Sequence, residues 1–164
     1  MADDELRAGA DEYRASFVPS GYGPEPQRRL VVVACMDARL DLFRMLRLKV
    51  GDVHLLRNAG GLVTDDVIRS LTLSQRALGT RQIVLVHHTD CGLQKIDDDR
   101  FLDELERETG HRPTWTPGAF TDPFDDVRVS LRRLQSCPWL LSRDARGFVF
   151  DVGTGELAEV DAEV

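Results

Sequence analysis

Short, wholly apolar runs alternate along the chain with segments in which apolar residues recur every three or four positions. The runs at 30–34 and 83–86 consist of Leu, Val, Ile and Ala, which is typical of strands buried on both faces of a parallel sheet. Helical spacing is present at 3–16, 39–47, 64–78, 99–109 and 124–135. This alternation predicts an α/β fold with a mainly parallel central sheet flanked by helices.

Two further parts of the chain complete the predicted sheet. A strand is predicted at 53–57, between the second and third helices. Near the C-terminus, the apolar segments 147–151 and 156–160 are separated by a Gly-rich turn. That pattern predicts a strand–turn–strand unit, so we expect an antiparallel strand at the C-terminal edge of the sheet.

Proline- and glycine-rich segments at 18–27 and 112–124 interrupt the periodic pattern. The first of them follows a helix with one apolar face, formed by Leu6, Ala10, Tyr13 and Phe17. We therefore predict one domain over residues 1–164, a length sufficient for a sizeable core, in which 1–28 form an N-terminal helical arm and linker.

Composition narrows the possible partners and location. The net charge of −7 argues against binding to a phosphate backbone, and no apolar run approaches the roughly 18 residues of a membrane span. The first residues lack the basic flank and apolar stretch of a signal peptide. Three cysteines are too few and of the wrong parity for a disulfide framework. We expect a cytoplasmic protein with neither nucleic acid nor membrane as a partner.

Candidate chemistry lies at the ends of two predicted strands. Cys35 follows the first apolar run, and His88 and Cys91 follow the run at 83–86. The carboxyl ends of strands in open α/β sheets are where ligands collect. Two thiolates and one imidazole bind Zn²⁺ and leave a fourth position open, which is typical of a catalytic zinc site. The alternative is that both cysteines are small buried hydrophobic residues.

Charged and glycine residues next to these ligands suggest further roles. Water in the open fourth position would lose a proton to become a zinc-bound hydroxide near neutral pH. Asp37 is predicted to accept a hydrogen bond from this hydroxide, and Arg39 to hold Asp37 ionised and oriented. The alternative for this pair is an ordinary charge pair at a helix start. After the second strand, Asn58 and Gly60 are candidates for substrate binding, since glycine permits close approach of the backbone. For Gly61 a simple tight turn is equally compatible with the sequence.

Three motifs in register resemble those of the β-class carbonic anhydrases, in particular their small bacterial branch. They are ACMDAR at 34–39, RNAGG at 57–61 and HTDCG at 88–92. The resemblance therefore covers residues 30–92. The chain departs from the common pattern at Ala38, His87 and Leu93, which affects the shape of the pocket but none of the ligands.

This resemblance implies one zinc ion per chain and reversible hydration of CO₂ to bicarbonate and a proton by zinc-bound hydroxide. It also implies a substrate role for Gly60, and a homodimer or higher homo-oligomer in which the N-terminal helix lies across the neighbouring subunit. In part of the family the aspartate equivalent to Asp37 binds zinc directly and shuts the enzyme. We expect the open arrangement, with Asp37 paired to Arg39.

Two alternatives to CO₂ hydration follow from the same residues. One is a hydrolase of carbonyl sulfide or carbon disulfide that uses the same zinc site. The other, from a different class, is an inactive zinc-binding interaction module.

The remaining polar residues have structural explanations. We expect His87 and His54 to be structural, with a role in relaying protons as the alternative for His87. His111 is expected to be solvated, and the acids at 97–99 to begin a helix that ends at Gly110.

Overall fold

A single five-stranded sheet organises the computed structural model, which describes residues 2–161. The strands are β1 Leu30–Cys35, β2 Val53–Asn58, β3 Gln82–His88, β4 Asp144–Phe150 and β5 Leu157–Val160. Their order is β2-β1-β3-β4-β5. The first four are mutually parallel and β5 is antiparallel to β4. The predicted mainly parallel sheet with an antiparallel C-terminal edge strand is confirmed.

Five helices accompany the sheet within residues 2–161. They are α1 Ala2–Ser16, α2 Leu42–Met45, α3 Asp65–Arg76, α4 Asp98–Thr109 and α5 Pro123–Ser136. Single 3₁₀ turns, Ala59–Gly61 and Gly92–Lys95, follow β2 and β3. All five lie where helical spacing predicts them, and none of the helices among residues 2–161 has the length and apolarity to cross a membrane.

The bounds predicted for α2 were wrong. The helix spans four residues instead of 39–47, because the side chain of Asp41 accepts a hydrogen bond from the backbone N–H of Arg44 and so caps the N-terminus. Arg47 has a positive φ of 50°, which lies outside the helical region and ends the helix. The segment 37–40 forms a turn instead, closed by a hydrogen bond from Leu40 N to Asp37 O.

Alternating side chains of the central strands fill two cores. Val31 and Val33 pack into the core on the face that α3 and α5 cover, and Val32 and Ala34 pack into the core on the α2 face. All four are fully buried. Because successive side chains of a strand point to opposite faces, burial on both faces requires the unbroken apolar run at 30–34.

Helix ends follow the predicted capping chemistry. Asp97 accepts a hydrogen bond from the backbone N–H of Arg100 and caps α4, which ends at Gly110 with a left-handed φ of 75°. Thr64 caps α3 in the same way. The prediction that the acids at 97–99 begin a helix is confirmed.

The N-terminal helix α1 leaves its apolar side chains exposed. Leu6 is 72% exposed, Tyr13 65% and Phe17, just after the helix, 53%. Tyr13 and Phe17 contact each other, with ring centroids 5.5 Å apart. An isolated helix of this length is only marginally stable in water, so α1 presents a face that needs a surface to pack against.

Candidate metal centre

Two cysteines and one histidine converge at the carboxyl edge of the sheet. Cys35 is the last residue of β1, His88 is the last residue of β3, and Cys91 lies in the turn after it. Their ligand atoms all lie within 4.8 Å of one another, and all three residues are buried. The parallel pairing of β1 with β3 produces this convergence, because it aligns the two strand ends.

The donor atoms of this cluster fit a tetrahedral zinc ion. The sulfurs of Cys35 and Cys91 are 4.0 Å apart and both cysteines are free thiols, whereas two sulfurs on one tetrahedral zinc are separated by about 3.8 Å. The Nδ1 of His88 donates to the carbonyl of Thr89 at 2.9 Å. Its Nε2 is buried with no hydrogen-bond partner, so a lone pair on Nε2 faces the two sulfurs.

The environment lowers the pKa of Cys35 and raises the pKa values of His88 and Cys91. Burial raises the pKa of Cys91 to about 11. Burial opposes ionisation of Cys35 too, but interaction with His88 and hydrogen bonds from the backbone N–H groups of Asp37 and Gly60 outweigh it and lower its pKa. For His88 burial favours the neutral form, yet the contact with Cys35 raises its pKa. Without a metal, Cys35 rather than Cys91 is therefore the cysteine that ionises first.

Asp37 lies beside the cluster and is held by Arg39. The guanidinium donates from Nε to Oδ1 at 3.0 Å and from Nη2 to Oδ2 at 2.8 Å. These hydrogen bonds hold the pKa of Asp37 far below its usual range, so the carboxyl is ionised and can only accept hydrogen bonds. Its Oδ2 is 3.7 Å from Nε2 of His88.

Asp90 is a second carboxylate on Arg39 that the sequence analysis missed. Its Oδ2 and its carbonyl each accept a hydrogen bond from Arg39 at 3.0 Å, and its Oδ1 accepts one from Lys95 at 2.6 Å. Asp90 has a left-handed φ of 54°, a conformation that aspartate tolerates better than most residues. Its place between His88 and Cys91 in the motif was the signal available.

Arg57 is a second missed residue. It donates from Nε to the carbonyl of Cys35 at 3.0 Å and from Nη2 to the carbonyl of Asp37 at 2.6 Å. These bonds satisfy backbone acceptors of the turn that carries Cys35 and Asp37, and so fix its path. Arg57 directly precedes Asn58, but nothing in the sequence indicates where its side chain points.

The glycines after β2 lie against the cluster. Gly60 and Asp37 line a small cavity of about 250 Å³ that also contacts both cysteines. A Cβ at Gly60, where φ is 76°, would meet a methyl of Leu93 at 2.5 Å. A Cβ at Gly61 would lie 2.8 Å from the backbone nitrogen of Cys35. Both positions therefore require glycine to pack here.

Asn58 lies beside that cavity rather than in it. It is the last residue of β2 and lines an adjoining, mostly apolar cavity of about 440 Å³ together with Met36, Leu93 and Trp115. Its Nδ2 donates to the carbonyl of Leu62 at 2.9 Å, while its Oδ1 is buried without a hydrogen-bond partner.

The other histidines lie outside the ligand cluster. His87 is fully buried and its Nε2 donates to the carbonyl of Gly61 at 3.2 Å. His54 bonds the carbonyl of Pro24 through Nε2 and the hydroxyl of Ser74 through Nδ1. His111 is exposed. These contacts agree with the structural roles predicted for His87 and His54.

The sequence and the fold of this chain are both similar to those of carbonic anhydrases. The sequence model described as carbonic anhydrase matches residues 30–117. Beta-carbonic anhydrase 1 of Mycobacterium tuberculosis is 54% identical over 157 residues, covering 92% of this chain and 96% of that protein. The crystal structure of carbonic anhydrase from Streptococcus mutans has a TM-score of 0.86 and 38% identity, over 97% of this chain and 96% of that one.

A second group of relatives consists of carbon disulfide hydrolases. Carbon disulfide hydrolase of Saccharolobus solfataricus is 43% identical over 81 residues, which cover 47% of this chain and 40% of that protein. This match includes less than half of either chain.

Titration of the metal-free protein tests the geometry of the cluster. We expect one thiolate to form below the usual thiol range, because the pKa of Cys35 is lowered, while Cys91 stays protonated up to about pH 11. Thiolate absorbance in the ultraviolet, followed against pH, reports the step. Cys35→Ser should abolish it and Cys137→Ser, a buried cysteine outside the cluster, should leave it unchanged. A low-pH step that survives in Cys35→Ser would contradict the assignment.

Proposed function

Because this chain belongs to the β-carbonic anhydrase family, we propose that Cys35, His88 and Cys91 bind one zinc ion per chain at which CO₂ is reversibly hydrated to bicarbonate and a proton. The observation that carries the proposal is an ionised carboxylate, held by Arg39, beside an open set of three zinc donors. Asp37 Oδ2 is 3.7 Å from the free Nε2 of His88. When bound, zinc lowers the pKa of a coordinated water and so supplies a nucleophile near neutral pH.

The ligands contribute charge and a fixed tautomer. The bond from Nδ1 of His88 to the carbonyl of Thr89 leaves Nε2 available to the metal, as is common for metal-binding histidines. The backbone N–H groups of Asp37 and Gly60 interact with the Cys35 sulfur and lower its pKa, which favours the thiolate. These partners hold the sulfur in place before the metal arrives.

Asp37 orients the nucleophile and Arg39 orients Asp37. An ionised carboxylate only accepts hydrogen bonds, so a nucleophile beside Asp37 must point its proton at the carboxylate and its lone pair elsewhere. Arg39 donates to both carboxylate oxygens, which fixes the plane of the carboxylate. Asp90 holds the guanidinium from its other side. The pairing of Asp37 with Arg39 supports the open arrangement of the site.

The apolar surroundings suit CO₂. Gly60 lines the cavity next to Asp37, and a Cβ there would collide with Leu93, which lines the same cavity. Asn58 lines the adjoining cavity, whose surface is mostly apolar and which shares Met36 and Leu93 with the smaller one. We assign Gly60 and Asn58 to substrate binding and access for these reasons.

Carbon disulfide and carbonyl sulfide are the second candidate substrates. Both are small linear molecules with the same valence-electron count as CO₂, and a relative of part of this chain is named carbon disulfide hydrolase. Assays of all three compounds on one preparation separate the activities: turnover of carbon disulfide well above that of CO₂ would favour the hydrolase. A zinc-loaded protein inactive on all three would favour an interaction module.

The cysteines bear on the location of the protein. Cys35 and Cys91 are free thiols with sulfurs close enough to be oxidised together. A reducing compartment keeps such thiols available to a metal. We therefore propose a cytoplasmic location.

Substitution of Asp37 tests the catalytic assignment. We expect Asp37→Asn to retain zinc, because the proposed ligands are Cys35, His88 and Cys91, and to lose roughly 100-fold in kcat/KM for CO₂ hydration, because an amide loses the ionic pair with Arg39 and one acceptor. Stopped-flow hydration with metal analysis measures both. Asp41→Asn is the matched control, since asparagine also caps a helix. Near-normal turnover in zinc-replete Asp37→Asn would show that this carboxylate is not catalytic.

We also propose that the chain forms a homodimer in which the N-terminal arm, residues 1–28, packs against the other subunit. The apolar face of α1 is exposed in one subunit, and a second copy would bury it. Replacing Leu6 and Tyr13 by Glu should therefore shift the mass in solution from two chains to one, as measured by light scattering. The matched control, Ala8→Glu combined with Ala15→Glu, adds the same two charges on the opposite face of α1 and should leave the dimer intact. A doubly substituted protein with wild-type mass would exclude this role of the arm.

A further inference from the structure

A buried polar pair lies directly behind the metal centre. His87 precedes the ligand His88 on β3, but alternation along the strand turns its side chain toward the opposite face, where α5 packs. There its Nδ1 lies 3.3 Å from Oδ2 of Asp126. Both atoms are buried and have no other hydrogen-bond partner. One proton held between them would satisfy both atoms, whichever of the two carries it.

The imidazole connects this carboxyl group to the glycine turn. Nε2 of His87 donates to the carbonyl of Gly61 at 3.2 Å. Nδ1 and Nε2 are thus both engaged, one with α5 and one with the backbone, which fixes the rotation of the ring. The ring of Phe120 lies beside it, with centroids 5.9 Å apart, and its packing restricts movement of the imidazole further.

The glycine turn in turn contacts the ligand Cys35. Gly61 packs against the backbone of Cys35 so closely that a Cβ would stand 2.8 Å from its nitrogen. The neighbouring Gly60 lines the same cavity as Cys35, and interaction of its backbone N–H with the sulfur helps to lower the pKa of Cys35. Because Ala59, Gly60 and Gly61 form one tight 3₁₀ turn, a shift of the Gly61 carbonyl would displace the turn that carries the Gly60 N–H.

We propose that Asp126 and His87 are positioning residues that fix the Gly60–Gly61 turn and thereby aim the Gly60 N–H at the sulfur of Cys35. This inference rests on the proposed role of Cys35 as a zinc ligand. A hydrogen bond to a ligating thiolate withdraws charge from the sulfur, so its loss makes the sulfur a stronger donor to the metal. Outer partners of this kind typically change metal affinity or activity 10–100-fold when they are removed.

Cobalt substitution gives a direct readout of this hydrogen bond. In the Co²⁺-loaded protein the sulfur-to-cobalt charge-transfer band should move to longer wavelength in Asp126→Leu, because the Cys35 sulfur becomes easier to oxidise. Asp126→Asn should restore the wild-type band, since its amide N–H can donate to Nδ1 of His87. In the zinc enzyme, Asp126→Leu should also raise the midpoint of the pH profile of kcat and lower kcat/KM about 10-fold.

A matched control separates positioning from stability. Asp125→Leu makes the same change on the exposed side of the same helical turn, where Asp125 pairs with Arg128, and it should leave the cobalt band unchanged. If Asp126→Leu does not fold, His87→Gln provides the second variant. Its amide can reach either Asp126 or Gly61 but not both, and it should shift the band in the same direction.

The outcomes distinguish this inference from the proposed function. A wild-type protein that shows no sulfur-to-cobalt band would overturn the metal site itself. A normal wild-type band that stays unchanged in Asp126→Leu and in His87→Gln would overturn the positioning role and leave the metal site intact. A lowered melting temperature with an unchanged band would likewise assign the pair a structural role alone.

Discussion

Parallel pairing of β1 with β3 is the constraint on which the rest of the structure depends. It brings the carboxyl ends of two strands together, so that Cys35 and His88 meet although they are far apart in the chain. Pairing of β1 with β2 on the other side adds the Asn58–Gly61 turn to the same edge. The unbroken apolar runs that bury these strands on both faces therefore also determine where the chemistry is located.

Charged side chains at the carboxyl edge of the sheet are linked by a chain of ion pairs. Two thiols and one imidazole form the cluster and the carboxylate of Asp37 lies beside it, a set of groups that suits a divalent cation. Arg39 lies behind Asp37 and is shared with Asp90, which in turn is paired with Lys95. The carboxylate is ionised and fixed in direction while its outer partners are partly exposed. This arrangement supports a role for Asp37 in orienting a reactant rather than in carrying its proton away.

The sequence predicted correctly those features that depend on residues close together in the chain. The strands follow from apolar runs, α4 from its acids and Gly110, and the cysteine and histidine candidates from their places after strands. The length of α2 was predicted wrongly because capping by Asp41 overrode the helical spacing that begins at Arg39. The contacts of Arg57, Asp90 and Asp126 were missed because each joins segments that are far apart in the chain. Only the packed fold determines which carbonyl or carboxyl these residues meet.

The most direct test of this account is the zinc content of the purified protein and of its ligand variants. We predict one zinc ion per chain in the wild-type protein, its near-complete loss in both Cys35→Ser and Cys91→Ser, and its retention in Cys137→Ser. Because the two site sulfurs lie on different sides of the β1–β3 junction, loss in both variants would show that the aligned strand ends hold the metal together. Full zinc content in Cys35→Ser and Cys91→Ser alike would contradict the account.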